Sequence, residues 1–310
     1  MTDQLPASQH PAPTRPIEAG WLALREPADT RARDRAADAL LPPLLEHLSR
    51  SAASPRTSPV IGSDTSLVIS PDTSSVIGSD AGPADGQGLR IVDLGAGTGS
   101  NLRWLAARLP EPDRQHWMLV DHDPALLARG PVQATAVRAD VADLARVLPE
   151  LGGADLITTA ALLDLLDRRE LTAIVDAVVE AHLPALFSLT VTGEVTLDPA
   201  DAQDEPLKAA FDAHQRRDSR PGPGAGTVVA DLFRDRGWSV IEARTAWQLT
   251  AGSEAELISA WLDGRVEAAV EHQPGLATEA AGWLERRRAQ LRSGGLEVVV
   301  GHVDLLALPK

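Results

Sequence analysis

The chain has 310 residues, 44% of them hydrophobic and 24% charged, with a formal net charge of −15 and neither cysteine nor tyrosine. This composition excludes disorder of the whole chain, and the missing sulfur excludes a disulfide scaffold, a thiolate-held metal and a cysteine nucleophile. The excess of acid, 44 Asp and Glu against 29 Lys and Arg, argues against a duplex nucleic-acid partner, whose phosphates need neutralising, and favours a small-molecule or protein substrate.

No apolar run approaches the roughly 18–20 residues of a membrane span, and the opening MTDQLPASQHPAPTRP lacks the layout of a signal peptide. The chain is therefore expected in the cytoplasm, without a membrane partner. Residues 1–15 read as a disordered tail, rich in Pro, Ala and polar groups. Residues 16–50 read as a helical cap of two short helices, roughly 29–41 and 43–50, because Pro42-Pro43 should break the first. Residues 51–88 hold three copies of an octad, Ser58 to Thr65, Ser66 to Thr73 and Ser74 to Ala81, whose Val-Ile pairs bury too little to fold alone. This segment is expected to be a low-complexity linker.

From Leu89 onward, short apolar runs alternate with helical segments, the pattern of a βαβ sheet with helices on both faces. Strands are expected at 89–94, 116–121, 133–138, 154–159, 185–192, 238–243 and 297–306. Helices are expected at 100–109, 124–129, 160–166, 170–182 and 226–236, with an irregular stretch from 194 to 222. Between the last two strands, residues 246–294 read as a helical insertion. Ser253 and Glu256 have capping-box spacing, and Leu257, Trp261, Leu262 and Val266 form a stripe.

One motif carries chemistry. Val92-Asp-Leu-Gly-Ala-Gly-Thr-Gly-Ser-Asn101 stands at a strand-to-helix junction, and Gly95, Gly97 and Gly99 let the backbone approach a ligand where any Cβ would collide. Asp121 ends the second strand beside the same crevice, where a carboxylate can accept two ribose hydroxyls; Asp140 ends the third and can accept from an exocyclic amine. Asp93 is unwelcome beside a pyrophosphate and suits a ligand that bears an ammonium group.

This set resembles the class I S-adenosylmethionine-dependent methyltransferases, over residues 89–193 and more weakly over 224–245 and 296–306. The resemblance implies a doubly wound, Rossmann-like α/β sheet of seven strands in the order 3-2-1-4-5-7-6, the last antiparallel, within a domain spanning 89–310. It implies S-adenosyl-L-methionine as cofactor: Asp93 at its methionine end, Gly95, Gly97 and Gly99 as the pocket floor, and Asp121 on the ribose. His122 is implied beside the adenine, Asp140 and Val141 at its edge, and Thr159 with Ala160 on the methyl side. The Asn/Asp-Pro-Pro-Tyr/Phe motif of amino-methylating relatives is absent after strand four, where Thr158-Thr-Ala-Ala-Leu-Leu-Asp164 stands.

Acceptor residues are expected in accessory segments. His214 is the candidate general base, Arg216 and Arg217 the candidate anion clamp, and Trp247 a candidate pocket wall, because imidazole titrates near neutrality and guanidinium offers bidentate donors. Asp164 and His302 are further candidates. No metal is expected. The function read is methyl transfer to a small molecule. The alternatives are a cofactor-binding regulatory protein without turnover, transfer of another group from an adenosylmethionine-like donor, and a dehydrogenase.

Overall fold

The computed structural model describes residues 17–52, 76–77, 88–150 and 153–310. The expected tail and most of the octad linker lie outside those residues. Seven strands run in chain order: β1 (Leu89–Leu94), β2 (Gln115–Asp121), β3 (Thr135–Arg138), β4 (Leu156–Ala160), β5 (Ala185–Asp198), β6 (Ser239–Thr250) and β7 (Glu297–Leu308). Their spatial order is 3-2-1-4-5-7-6, and β7 is antiparallel to both β5 and β6. Val76–Ile77, in the third octad, adds two residues antiparallel to β3 at the sheet edge. The central strands are near-continuous apolar runs because both faces are covered, as parallel sheets require.

Helices α3 (Pro124–Leu127), α4 (Leu144–Glu150), α5 (Arg168–Glu180) and α7 (Ala225–Asp235) follow the strands, and α2 (Ser100–Leu105) leaves the glycine loop. One face of the sheet packs Val92, Leu94 and Val120 against Leu144, Ile174 and Phe233. The other packs Ile91, Leu119 and Leu156 against α2 and the N-terminal helix.

That N-terminal segment corrects the expected pair of short helices. It is one helix, α1 (Ala19–Ala52), with Pro27, Pro42 and Pro43 inside it. Each interior proline costs roughly 3 kcal/mol. Against this, Ala28, Ala32, Ala36, Leu40, Leu44 and Leu48 are all buried at a spacing of four, and each buried leucine contributes roughly 1.5–3 kcal/mol. The stripe runs unbroken through Pro42-Pro43, so tertiary burial overrides the local rule.

The outer arms differ from expectation as well. Strands β5, β6 and β7 are 14, 12 and 12 residues long, so residues 246–250, placed by sequence in the insertion, continue β6. The 194–222 stretch contains a helix, α6 (Asp204–Gln215), that its charged sequence hides. The insertion itself is α8 (Ala255–His272) and α9 (Ala277–Arg292); Glu254, not Ser253, precedes α8. These helices bury Leu207, Ile258, Leu262 and Trp283 against Leu249, Val298 and Val300 of the long arms.

Candidate functional site

Strand β1 ends in Asp93-Leu94, and the chain turns into α2 through three left-handed glycines: φ is 60° at Gly95, 54° at Gly97 and 78° at Gly99. A Cβ would stand 2.7 Å from Leu162 Cδ1 at Gly95, 3.0 Å from Leu22 Cδ1 at Gly97 and 2.6 Å from Pro131 Cδ at Gly99. The backbone is thus a cradle that only glycine can form. Its rim is touched by α1 and by the segment after β4.

Asp93 is 0% exposed. Its Oδ1 accepts a 2.8 Å hydrogen bond from Asn101 Nδ2, while its buried Oδ2 has no partner. Burial pushes the carboxyl up to about 7, against the opposing pull of the Asn101 hydrogen bond and the Arg33 charge. A half-satisfied buried carboxyl is costly unless something completes it, and a cation is the natural complement.

Parallel pairing sets Leu94 against Val120 and Asp121 against Arg138, which brings the carboxyl ends of β1, β2 and β3 together. Asp121 Oδ2 accepts from the Gly97 amide at 2.8 Å and Oδ1 from the Asp123 amide at 2.9 Å. Its carboxylate therefore pins the middle of the glycine loop, and each oxygen keeps a further lone pair for hydroxyls. The His122 side chain is 70% exposed, with Nδ1 3.4 Å from Asp121 Oδ1. Asp140 follows β3, whose end is tied to β2 by the Ala139 amide on the Asp121 carbonyl at 3.1 Å; Val141 packs into the core below. The Thr159 hydroxyl does not face a pocket: it is buried and donates to the Leu94 carbonyl at 2.7 Å, clasping β4 to β1.

The accessory candidates lie elsewhere. His214 Nε2 is 3.2 Å from Glu271 Oε2 on α8, and Arg217 Nη1 donates to the same carboxylate at 2.5 Å. These contacts fasten the end of α6 and the residues just after it to α8; Arg216 is exposed at the end of α6. Trp247 is buried on β6, its Nε1 donating to Asp29 Oδ1 at 2.9 Å and its ring edge-on to Trp21. The imidazole of His302 lies 5.3 Å from that ring, and burial lowers it to about 4. Asp164 is raised by burial and lies near the charges of Arg25 and Arg220.

Two residues to which the sequence assigns no role enter the site. Asn101 is the direct partner of Asp93, and Arg33 of α1 donates to Asn101 Oδ1 at 3.0 Å. Asn101 stands within the glycine motif, which is its available signal. Arg33 has none, since a charged helical residue ordinarily faces water.

Residues 91–184 match a family model described as a methyltransferase domain. That match takes in the glycine cradle, Asp121 and strands β2 to β4, and ends just before β5. No curated protein matches the chain. Among solved structures, the cyclopropane synthase MmaA2 from Mycobacterium tuberculosis is 14% identical over 71% of this chain and 78% of its own, with a TM-score of 0.39. The YcgJ protein from Bacillus subtilis is 12% identical over 72% and 93%, with a TM-score of 0.40. A Geobacter sulfurreducens SAM-dependent methyltransferase in complex with S-adenosyl-L-homocysteine is 14% identical over 72% and 85%, with a TM-score of 0.36. Helices α1, α6, α8 and α9 and the long β5–β7 arms stand wholly or largely outside the residues matched as the methyltransferase domain.

Proposed function

We propose that the chain transfers a methyl group from S-adenosylmethionine to a small-molecule acceptor by in-line displacement. The observation that carries this reading is the buried, unpartnered Oδ2 of Asp93 beside a glycine cradle pinned by Asp121. The residues fit the cofactor: Asp93 meets its ammonium group, the glycines admit its backbone-proximal part, and Asp121 keeps lone pairs for the ribose. His122, Asp140 and Val141 stand where the adenine would lie. When bound, the cofactor supplies a methyl group held on a sulfonium, open to a nucleophile in line.

The acceptor belongs above the ends of β4 and β5, under α1 and α6, where Ala160, Ala161, Trp21, Leu24 and Phe211 border the apolar cluster. Asp164 supplies polarity near that rim. Positioning can contribute roughly 7–11 kcal/mol in favourable cases, so a nucleophile that is already unprotonated needs no base from this chain. Among the described residues no helix is long and apolar enough to cross a membrane; a cytoplasmic location and the absence of a nucleic-acid partner are part of the proposal.

Thermal-shift titration with S-adenosylhomocysteine and with NAD is the first test, since only a ligand of the native state raises the transition. A rise with the first alone, followed by label transfer from methyl-labelled donor into an acceptor panel, supports the proposal. A rise with NAD alone overturns it. Binding without transfer to any acceptor leaves a cofactor-binding protein and overturns turnover.

A further inference from the structure

We propose that Arg33, on a helix outside the methyltransferase domain, is a positioning residue that acts through Asn101 to keep Asp93 an acceptor toward the ammonium group of the ligand. The inference rests on the reading that Asp93 receives that group.

The argument is one of donors and acceptors. Arg33 Nη1 donates to Asn101 Oδ1 at 3.0 Å. Asn101 Nδ2 then donates to Asp93 Oδ1 at 2.8 Å and to Thr158 Oγ1 at 3.1 Å. Thr158 in turn donates its hydroxyl proton to the Leu186 carbonyl at 2.8 Å. A guanidinium can only donate and a carbonyl can only accept, so both ends of the chain are fixed and every intermediate direction follows. The Asn101 amide has one orientation, with its nitrogen toward Asp93.

Without Arg33 the amide loses one of its two anchors, and only the Thr158 hydroxyl still holds its nitrogen toward Asp93. An amide turned through 180° would set its carbonyl oxygen against Asp93, and two facing acceptors favour a protonated carboxyl, which cannot bind a cation well. The groups facing Asp93 are few: Arg33 from α1, Asn101 from α2, Thr158 from β4 and, across the loop, the charge of Asp121 from β2. Of these, Arg33 is the sole cation.

Arg33 is also a costly group to bury. It is 0% exposed, its Nη2 has no partner, and besides the charges of Asp29 and Asp304 it has a long 3.4 Å bond to the Asp29 carbonyl and the face of Trp104 at 4.8 Å. Burial opposes its charge, so the groups its guanidinium is bonded to carry the explanation of its presence. Its single side-chain hydrogen bond goes to the residue that orients Asp93.

The test is calorimetric titration of the full chain from about pH 5.5 to about pH 8.5 with two ligands. S-adenosylhomocysteine carries the ammonium group, and 5′-methylthioadenosine lacks the whole amino-acid end. Wild type should lose affinity for the first as pH falls through the titration of Asp93, with no such limb for the second. In Arg33→Met the limb should move upward by roughly one pH unit, so that the first ligand binds about fivefold more weakly near neutrality and about tenfold at the acid end of the range, while the second is unaffected. Arg33→Lys, which restores a donor, should return the limb toward wild type. Asn101→Ala, which removes the relay without touching α1, should shift it as Arg33→Met does and decides the matter if that variant does not fold. An unmoved limb, or equal losses for both ligands, overturns the role of Arg33. Wild type that fails to bind S-adenosylhomocysteine overturns the cofactor reading instead.

Discussion

Leu22 of α1 lies against Gly97, with its Cδ1 3.0 Å from where a Cβ on that glycine would stand. Four residues on, Glu26 grips Arg103 of α2 with both carboxylate oxygens at 2.6 Å. The first turns of α1 are therefore seated on the glycine cradle, and what loosens one should be felt by the other.

Glu26→Ala tests that coupling. Both partners are partly exposed, so the pair should contribute no more than about 1 kcal/mol to global stability. Locally it anchors a helix end. Amide hydrogen exchange over residues 19–26 should quicken several-fold while the thermal midpoint barely moves; unchanged exchange would show that Leu22 and its neighbours hold the helix by themselves.

Gly97→Ala should fail for two separate reasons. At φ 54° a left-handed alanine costs roughly 1–2 kcal/mol, and its methyl meets Leu22. The expected readout is a lowered thermal midpoint together with loss of the stabilisation induced by S-adenosylhomocysteine. The paired variant Gly97→Ala/Leu22→Ala relieves only the contact, so it should recover part of the midpoint.

Asp121→Ala removes an acceptor from the Gly97 amide as well as from the ribose. With charge-assisted bonds contributing about 1.5–3 kcal/mol each, affinity for S-adenosylhomocysteine should fall at least roughly tenfold. Calorimetric titration giving equal affinity in wild type and variant would remove Asp121 from the cofactor site.

What is legible in the sequence is whatever is local. The Asp93 to Asn101 motif and the strand end at Asp121 depend on short apolar runs and nearby glycines, and the structure shows them at the same positions, whereas β3 stops at Arg138, two residues before Asp140; the strand order follows from the family resemblance. Helix α1 escapes such a reading because Pro42-Pro43 is a strong local signal, whereas the Ala28 to Leu48 stripe acts only once the sheet is there to bury it. The contact of His214 and Arg217 with Glu271 is not legible in the sequence because more than fifty residues separate them, and no spacing rule reaches that far. Arg33 is invisible for the same reason: its meaning comes from Asn101, on another helix.

The accessory helices have their own buried charge. Arg287 of α9 is fully buried and donates to both oxygens of Asp204 on α6, at 2.5 and 2.7 Å, and Trp283 Nε1 donates to Asp204 Oδ1 at 2.7 Å. Removing one partner of such a pair leaves a poorly compensated charge, at a cost of roughly 3–5 kcal/mol. Arg287→Ala should therefore destabilise the chain by about that much in chemical denaturation. A cost below about 1 kcal/mol would mean that water reaches Asp204 readily.

Asp304 predicts a pH dependence of stability with a definite sign. It lies buried on β7, where it accepts from the Leu189 amide at 2.8 Å, and burial pushes its carboxyl up to about 6 despite that bond and the nearby Arg33 charge. An unfolded aspartate titrates near 3.9, so between these values the folded state holds more protons than the unfolded one. Its contribution is then fully present below about pH 4 and is lost as pH rises through about 6. Asp304→Asn removes the titration and keeps an acceptor for Leu189. The stability of wild type relative to this variant should fall by about 2–3 kcal/mol between about pH 4 and pH 7, since a tenfold difference in proton affinity between folded and unfolded chain corresponds to about 1.4 kcal/mol. The buried His302, lowered to about 4, acts in the opposite direction over the same range, but it is common to both proteins and cancels in the comparison. Urea denaturation of the pair at each pH measures the difference, and a gap that stays flat or grows with pH would show that Asp304 is already ionised in the folded chain.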